Sequence, residues 1–171
     1  MNAAKPAADV LAAGDLVSRE FAAARQRFQH AGRDDLCEWV DRELAGYGHA
    51  RRLPGYRWVP AAARGTVSTA QGSLLHDHRL PVSHLGEDWT RERVRQALAE
   101  VEALAFSGRA FVTQDIPEDE RAPLARGLGL SGARITHAWW EIRTADLKAV
   151  VLDGARAELH RLLACLPAAP G

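Results

Sequence analysis

The chain is 171 residues long, 47% hydrophobic and 26% charged, with 22 basic and 22 acidic side chains and a formal net charge of zero. That length fits one domain, and that apolar content supports a core and excludes general disorder. With a sequence pI near 7.1, the chain lacks the global basic bias that a non-specific nucleic-acid or membrane partner usually leaves.

Lysine occurs only at Lys5 and Lys148, and every other basic residue is arginine. Arginine suits bidentate carboxylate or phosphate contacts, although genome composition explains the bias more simply. Cys37 and Cys165 have neither zinc nor CxxC spacing and read as reduced, buried structural thiols of a reducing cytoplasm. The first twenty residues lack the unbroken apolar stretch of a signal peptide, and no segment approaches the ~20 apolar residues of a membrane span. A cytoplasmic location is the expectation.

In chain order, 1–6 reads as a loose leader. Val10, Val17, Phe21, Ala24 and Phe28 recur at helical intervals and predict a long helix over 7–31, stopped at Gly32. A second helix over 35–45 follows at once, so the two are expected to be antiparallel neighbours. Its stripe is Leu36, Trp39, Val40 and Leu44, and Asp35-x-x-Glu38 has capping-box spacing. Gly46 and Gly48 are suited to end it, and Pro54 opens an extended run. Short strands are predicted at 56–59 and 66–69, with a third extended segment over 74–82.

Thr90 is placed to cap a helix over 91–106 with Val94, Leu98, Val101 and Leu104 inward. A brief extended piece at 111–112 precedes a short helix over 117–128, whose Pro117, Glu118, Asp119 and Glu120 suit a first turn. The segment 133–143 alternates as a strand, with Ile135, His137, Trp139 and Glu141 on one face and Ala138, Trp140 and Ile142 on the other. A last helix over 147–166 carries the longest apolar stripe: Leu147, Val151, Ala155, Leu159, Leu162, Leu163 and Leu166. Such a stripe needs a partner, either the first helix or another protein. The tail 167–171 reads as loose.

One stretch, Leu36–Arg57, orders an amphipathic helix, a Gly/Tyr stop, a basic turn and Leu-Pro-x-Tyr-Arg. Its Glu38-Trp39-Val40, Glu43-Leu44, Gly46-Tyr47, Leu53-Pro54 and Tyr56-Arg57 resemble the core of the AbiTii family, abortive-infection proteins of bacterial phage defence. The resemblance implies a single AbiTii-like domain over 1–171 and a process, defence against phage. It includes no catalytic motif, so no catalytic residue carries over from it.

Other constellations suggest chemistry independently. His76-Asp77-His78, with His84 six residues on, are candidates for a metal or acid/base site, since alternate strand positions share a face; exposed polar loop residues are the plainer reading. Arg51, Arg52 and Arg57, and separately Arg91, Arg93 and Arg95, are basic clusters. With Tyr56, Trp58 and Trp89 nearby they could stack and pair with a nucleotide or single-stranded nucleic acid, although solvated faces are the commoner fate. Trp39, Tyr47, Trp140, Leu159 and Leu163 are interface candidates. His137 is a core or edge histidine or part of a pocket. The Gly-rich run at 127–132 lacks the Gly-Lys-Ser/Thr ending of a phosphate loop.

The resulting expectation is a helix-rich α+β fold, about five helices with a small β-sheet. The expected function is a non-enzymatic interaction or regulatory module of phage defence, needing no cofactor. Its expected partners are a defence-system protein, a second copy of itself, or both, with no membrane and with nucleic acid left open. Two alternatives remain: a metal-dependent nuclease or toxic hydrolase using His76, Asp77 and His78, and a nucleotide or nucleic-acid sensor using Arg51, Arg52, Arg57 and Trp58.

Overall fold

Helix α1 (Val17–His30) turns Val17, Phe21, Ala24 and Phe28 inward on one stripe and is followed after three residues by α2 (Asp34–Ala45). The structure is a computed structural model that describes residues 16–129 and 131–167. The front half of the predicted first helix, with Val10, and most of the two loose ends lie outside the described residues. The two helices pack through Phe21 and Trp39, whose ring centroids are 5.0 Å apart, and Arg25 bridges to Asp41 at 2.6 Å. The capping box does not form: Arg33 is the cap residue without a side-chain cap bond, and its guanidinium holds Asp35 at 2.7 Å.

Among the described residues six strands form two antiparallel sheets. They are β1 (Trp58–Pro60), β2 (Ala62–Ser68), β3 (Leu74–Arg79), β4 (Arg91–Arg93), β5 (Phe111–Asp115) and β6 (Arg134–Arg143). The larger sheet runs β3-β2-β6-β5, and β1 pairs with β4 as a separate ribbon. On the larger sheet Ala63, Val67, Val112, Ala138, Trp140 and Ile142 are buried toward the helices. The other face, with Arg64, Thr66, His137, Trp139 and Glu141, is half-buried or exposed. This is the period-two alternation of a sheet with one face on a core, and it sends Trp140 inward from the Trp139-Trp140 pair.

The predicted helix over 91–106 is shorter than its pattern. Arg91–Arg93 pair with Pro60–Trp58 as strand, the Thr90 hydroxyl donates to the Glu87 carbonyl at 2.7 Å, and helix α3 covers only Leu98–Ala105. Val94 is buried either way, so the apolar spacing did not discriminate, and a free ribbon edge took the backbone. Strand β2 begins earlier than predicted because Ala62–Arg64, weak strand formers, pair with Glu141–Trp139 of β6. Helix α4 (Glu118–Arg126) starts after Pro117 as its composition suggests.

The C-terminal helix has three contiguous pieces: α5 (Thr144–Asp146), a π-helical turn over Leu147–Leu152, and α6 (Asp153–Ala164). Leu147, Val151, Ala155 and Leu159 are buried. The partner of this stripe includes the first helix, and Arg156 reaches Glu20 of α1 at 2.8 Å. Gly154 lies so close to Tyr56 that a Cβ there would be 2.6 Å from the tyrosine Cβ. Both thiols are free, and Cys37 is buried as expected; Cys165 is exposed, because it lies just past the end of α6. Among the described residues no helix is long and apolar enough to cross a membrane.

Candidate functional site

The stretch that carries the family resemblance builds a buried ionic knot. Glu43 projects inward from α2, and Arg57 ends a 3-10 turn over Gly55–Arg57; both are 0% exposed. The Glu43 carboxylate accepts from four donors. Tyr47 Oη and Tyr56 Oη each donate to Oε1 at 2.6 Å, Arg57 Nε donates to Oε2 at 3.1 Å, and Arg57 Nη2 donates to the same oxygen. Arg57 Nη1 donates to the Gln96 carbonyl at 2.7 Å, and Trp39 Nε1 donates to Tyr56 Oη at 3.1 Å. Burying a charge pair is tolerable only when the pair and its spare donors and acceptors are satisfied, and here the acceptor sites of the carboxylate are filled.

The chain has two tyrosines, and both donate to Glu43. Burial, then the hydrogen bond to and charge of Glu43, raise the Tyr47 phenol far above its usual value. Burial followed by the Glu43 charge does the same for Tyr56. With folded values above the unfolded value of about 10, the stability these phenols confer is whole below that pH and is lost as pH rises beyond it. Alkaline titration followed by tyrosinate absorbance is therefore expected to show neither phenol ionising until the chain unfolds. Reversible ionisation near the ordinary value, with the fold intact, would contradict this packing.

The knot positions an open cleft. Tyr47 N donates to the Arg95 carbonyl at 2.8 Å, and Arg95 Nη1 returns two bonds of 2.8 Å to the carbonyls of Gly48 and Ala50. Thus the turn after α2 and the segment after β4 are held together. Beside them opens a cleft of about 570 Å³. Its ribbon wall carries Trp58, Arg91 and Arg93. Trp58 and Arg93 are register partners, and the guanidinium lies 4.6 Å from the indole centroid. Trp89 lines the cleft against Trp140, with ring centroids 6.0 Å apart. The end of β5 and the start of α4 complete the lining, with Gln114, Asp115, Pro117 and Glu120.

Glu92 of β4 also lines the cleft. Strand alternation separates it from Arg91 and Arg93, and Gln114 Nε2 donates to it at 2.9 Å. Burial raises the Glu92 carboxyl above its usual range, the bond from the Arg93 backbone lowers it, and the nearby Glu120 charge raises it again. The cleft therefore offers guanidinium groups, flat indole faces and a half-buried carboxyl group within one ligand-sized space.

The other candidates lie elsewhere. His76, Asp77 and His78 sit on β3, exposed throughout its length. A bulge falls here, and Asp77 has a positive φ of 51°, so the simple alternation expected of His76 and His78 is interrupted. Arg64 Nε donates to Asp77 at 2.6 Å and holds its carboxyl below the usual range. His84 Nε2 is 3.1 Å from the Pro123 carbonyl oxygen. Among the described residues no group of three His, Cys, Asp or Glu is placed to hold a metal ion.

Arg51 and Arg52 are exposed, whereas Arg57 is inside the knot, and of that proposed quartet Trp58 lines the cleft. Tyr47, Trp140 and Leu159 are buried in the chain's own core, and Trp39 and Leu163 are half-buried against it. His137 is exposed beside Trp139 at 5.3 Å between ring centroids. Glu92 and Gln114 were not singled out from sequence. Their only signal was a carboxylate inside the Arg91–Arg95 cluster, and Gln114 meets it only through pairing of distant segments.

The fold and its cleft define a small α+β domain in which helices clasp one face of an antiparallel sheet and a buried ion pair fixes a polar cleft beside it. The AbiTii family model matches residues 28–166, most of the chain, and the chain belongs to that family. Membership assigns it to the abortive-infection proteins of phage defence. No curated protein and no solved structure matches the chain. The matched span contains both the knot and the cleft.

Proposed function

We propose that this chain serves phage defence as a non-enzymatic recognition and regulatory module, in the cytoplasm, with the cleft as its recognition element. Its output is contact with a defence-system protein or with a second copy of itself. The observation that carries this reading is the convergence of Trp58, Trp89, Arg91 and Arg93 on one cleft whose frame is anchored by the Glu43–Arg57 knot. These groups bind by stacking and charge. Exposed Leu74 and Leu75 on the edge strand β3 offer apolar surface for the partner contact.

Phage plating on cells carrying the native operon tests the reading. Arg91→Ala/Arg93→Ala changes two exposed side chains, so the fold is expected to survive while plaque formation returns to that of cells lacking the chain. His76→Ala/His78→Ala is expected to protect like the intact chain. Full protection by the arginine variant would overturn the reading. Loss of protection by a folded histidine variant would transfer the function to β3 and to hydrolytic chemistry there.

A further inference from the structure

Resting on that reading of the cleft, we propose that its ligand is a nucleotide whose base carries an amino group, taken either free or as a residue of a single-stranded nucleic acid. The lining residues differ in what they offer. Arg91 and Arg93 project from the ribbon, both are exposed, and among the described residues neither forms an ion pair with a carboxylate. They suit a phosphate, which guanidinium groups bind bidentately. Asp115 and Glu120, which come from β5 and α4 and also line the cleft, disfavour an anion beside them, so a ligand with one anionic end and one donor-bearing end matches this mixed lining.

The half-buried indoles of Trp58 and Trp89 also line the cleft, Trp58 with the Arg93 guanidinium over one face, and every base stacks on such a flat surface. The volume of about 570 Å³ accommodates a nucleotide. Glu92 supplies the discrimination. As a carboxylate it only accepts hydrogen bonds, and the bonds from Gln114 at 2.9 Å and from the Arg93 backbone leave acceptor sites open. A base amino group donates to it, as in the pairing of carboxylates with the cytosine amino group. Uracil presents a carbonyl where cytosine has that amino group, so it sets lone pair against lone pair. Partial burial of Glu92 strengthens this choice, because an unmatched polar group is costlier away from water.

The test is titration of the full chain with GMP, AMP, CMP, UMP, cytidine, inorganic phosphate and an oligocytidine octamer, read by tryptophan fluorescence and calorimetry. GMP, AMP and CMP are expected to quench the indoles, with UMP at least about tenfold weaker. Cytidine is expected to be weaker than CMP by a similar factor, and inorganic phosphate not to quench. Glu92→Gln is expected to narrow the gap between CMP and UMP while Arg91→Ala/Arg93→Ala weakens all the nucleotides. Tighter, steeply salt-dependent binding of the octamer assigns the nucleotide to a single strand; binding no tighter than CMP assigns it to the free pool.

Absence of quenching and heat with every nucleotide and with the octamer overturns the proposal, and so does UMP binding as well as CMP. If all titrations fail while Arg91→Ala/Arg93→Ala still abolishes protection in cells, the ligand class is wrong and the cleft reading survives. If protection also survives that variant, both fall.

Discussion

Replacing Glu43 with alanine is expected to destabilise the fold by about 3–5 kcal/mol, the usual consequence of removing one partner of a buried ion pair. The loss comes less from the attraction forfeited than from what remains. Arg57 stays buried with a positive charge, its Nη1 still engaged by the Gln96 carbonyl at 2.7 Å. Two phenols that donated to the carboxylate at 2.6 Å are left without that acceptor. A domain with a typical stability of about 5–15 kcal/mol then has little reserve. Glu43→Gln retains one accepting oxygen for the tyrosines and is expected to cost less than alanine. Urea unfolding followed by tryptophan fluorescence measures both; a loss below about 1 kcal/mol for Glu43→Ala would mean the knot is not a principal support.

The second large effect is expected at Gly46, the residue that ends α2. Its φ is 87° and its ψ 164°, a combination open to glycine and strained for any residue with a side chain. A Cβ there would also stand 2.9 Å from the Arg95 carbonyl oxygen and 3.0 Å from the Ala97 nitrogen, both backbone atoms. Gly46→Ala therefore combines strain and overpacking, together about 2–4 kcal/mol. Because this turn docks the segment that follows β4, the same substitution is expected to disturb the cleft before global unfolding. The check is a urea midpoint alongside the environment of Trp58 and Trp89 read by fluorescence. Wild-type stability and an unchanged spectrum would show that the turn can move away without consequence.

Much of the architecture was legible where burial follows local spacing. The stripe of Val17, Phe21, Ala24 and Phe28 made α1, and the alternation of Ala138, Trp140 and Ile142 made β6, because a helix and a strand each repeat their inward positions at a set period. The segment 91–94 failed for the converse reason. Its one buried residue, Val94, fits either period, and only the presence of Trp58–Pro60 as a pairing edge decided for strand. The resemblance in 36–57 marked Glu43, Tyr47, Tyr56 and Arg57 without saying why they occur together.

The sequence by itself determined the helix-rich α+β class, the AbiTii resemblance, the inward stripes of α1, α2 and the C-terminal helix, and the glycine that closes α2. Each depends on neighbours a few residues away. Tertiary structure alone decided that Arg57 would be buried on Glu43 and on a carbonyl 39 residues further along, and that Gln114 would meet Glu92 across 22 residues. It also gathered Trp58, Trp89 and the arginines of β4 into one cleft. Charge pairing and cleft shape depend on which distant backbones come within about 3 Å, and that distance is set only when the strands and helices have packed.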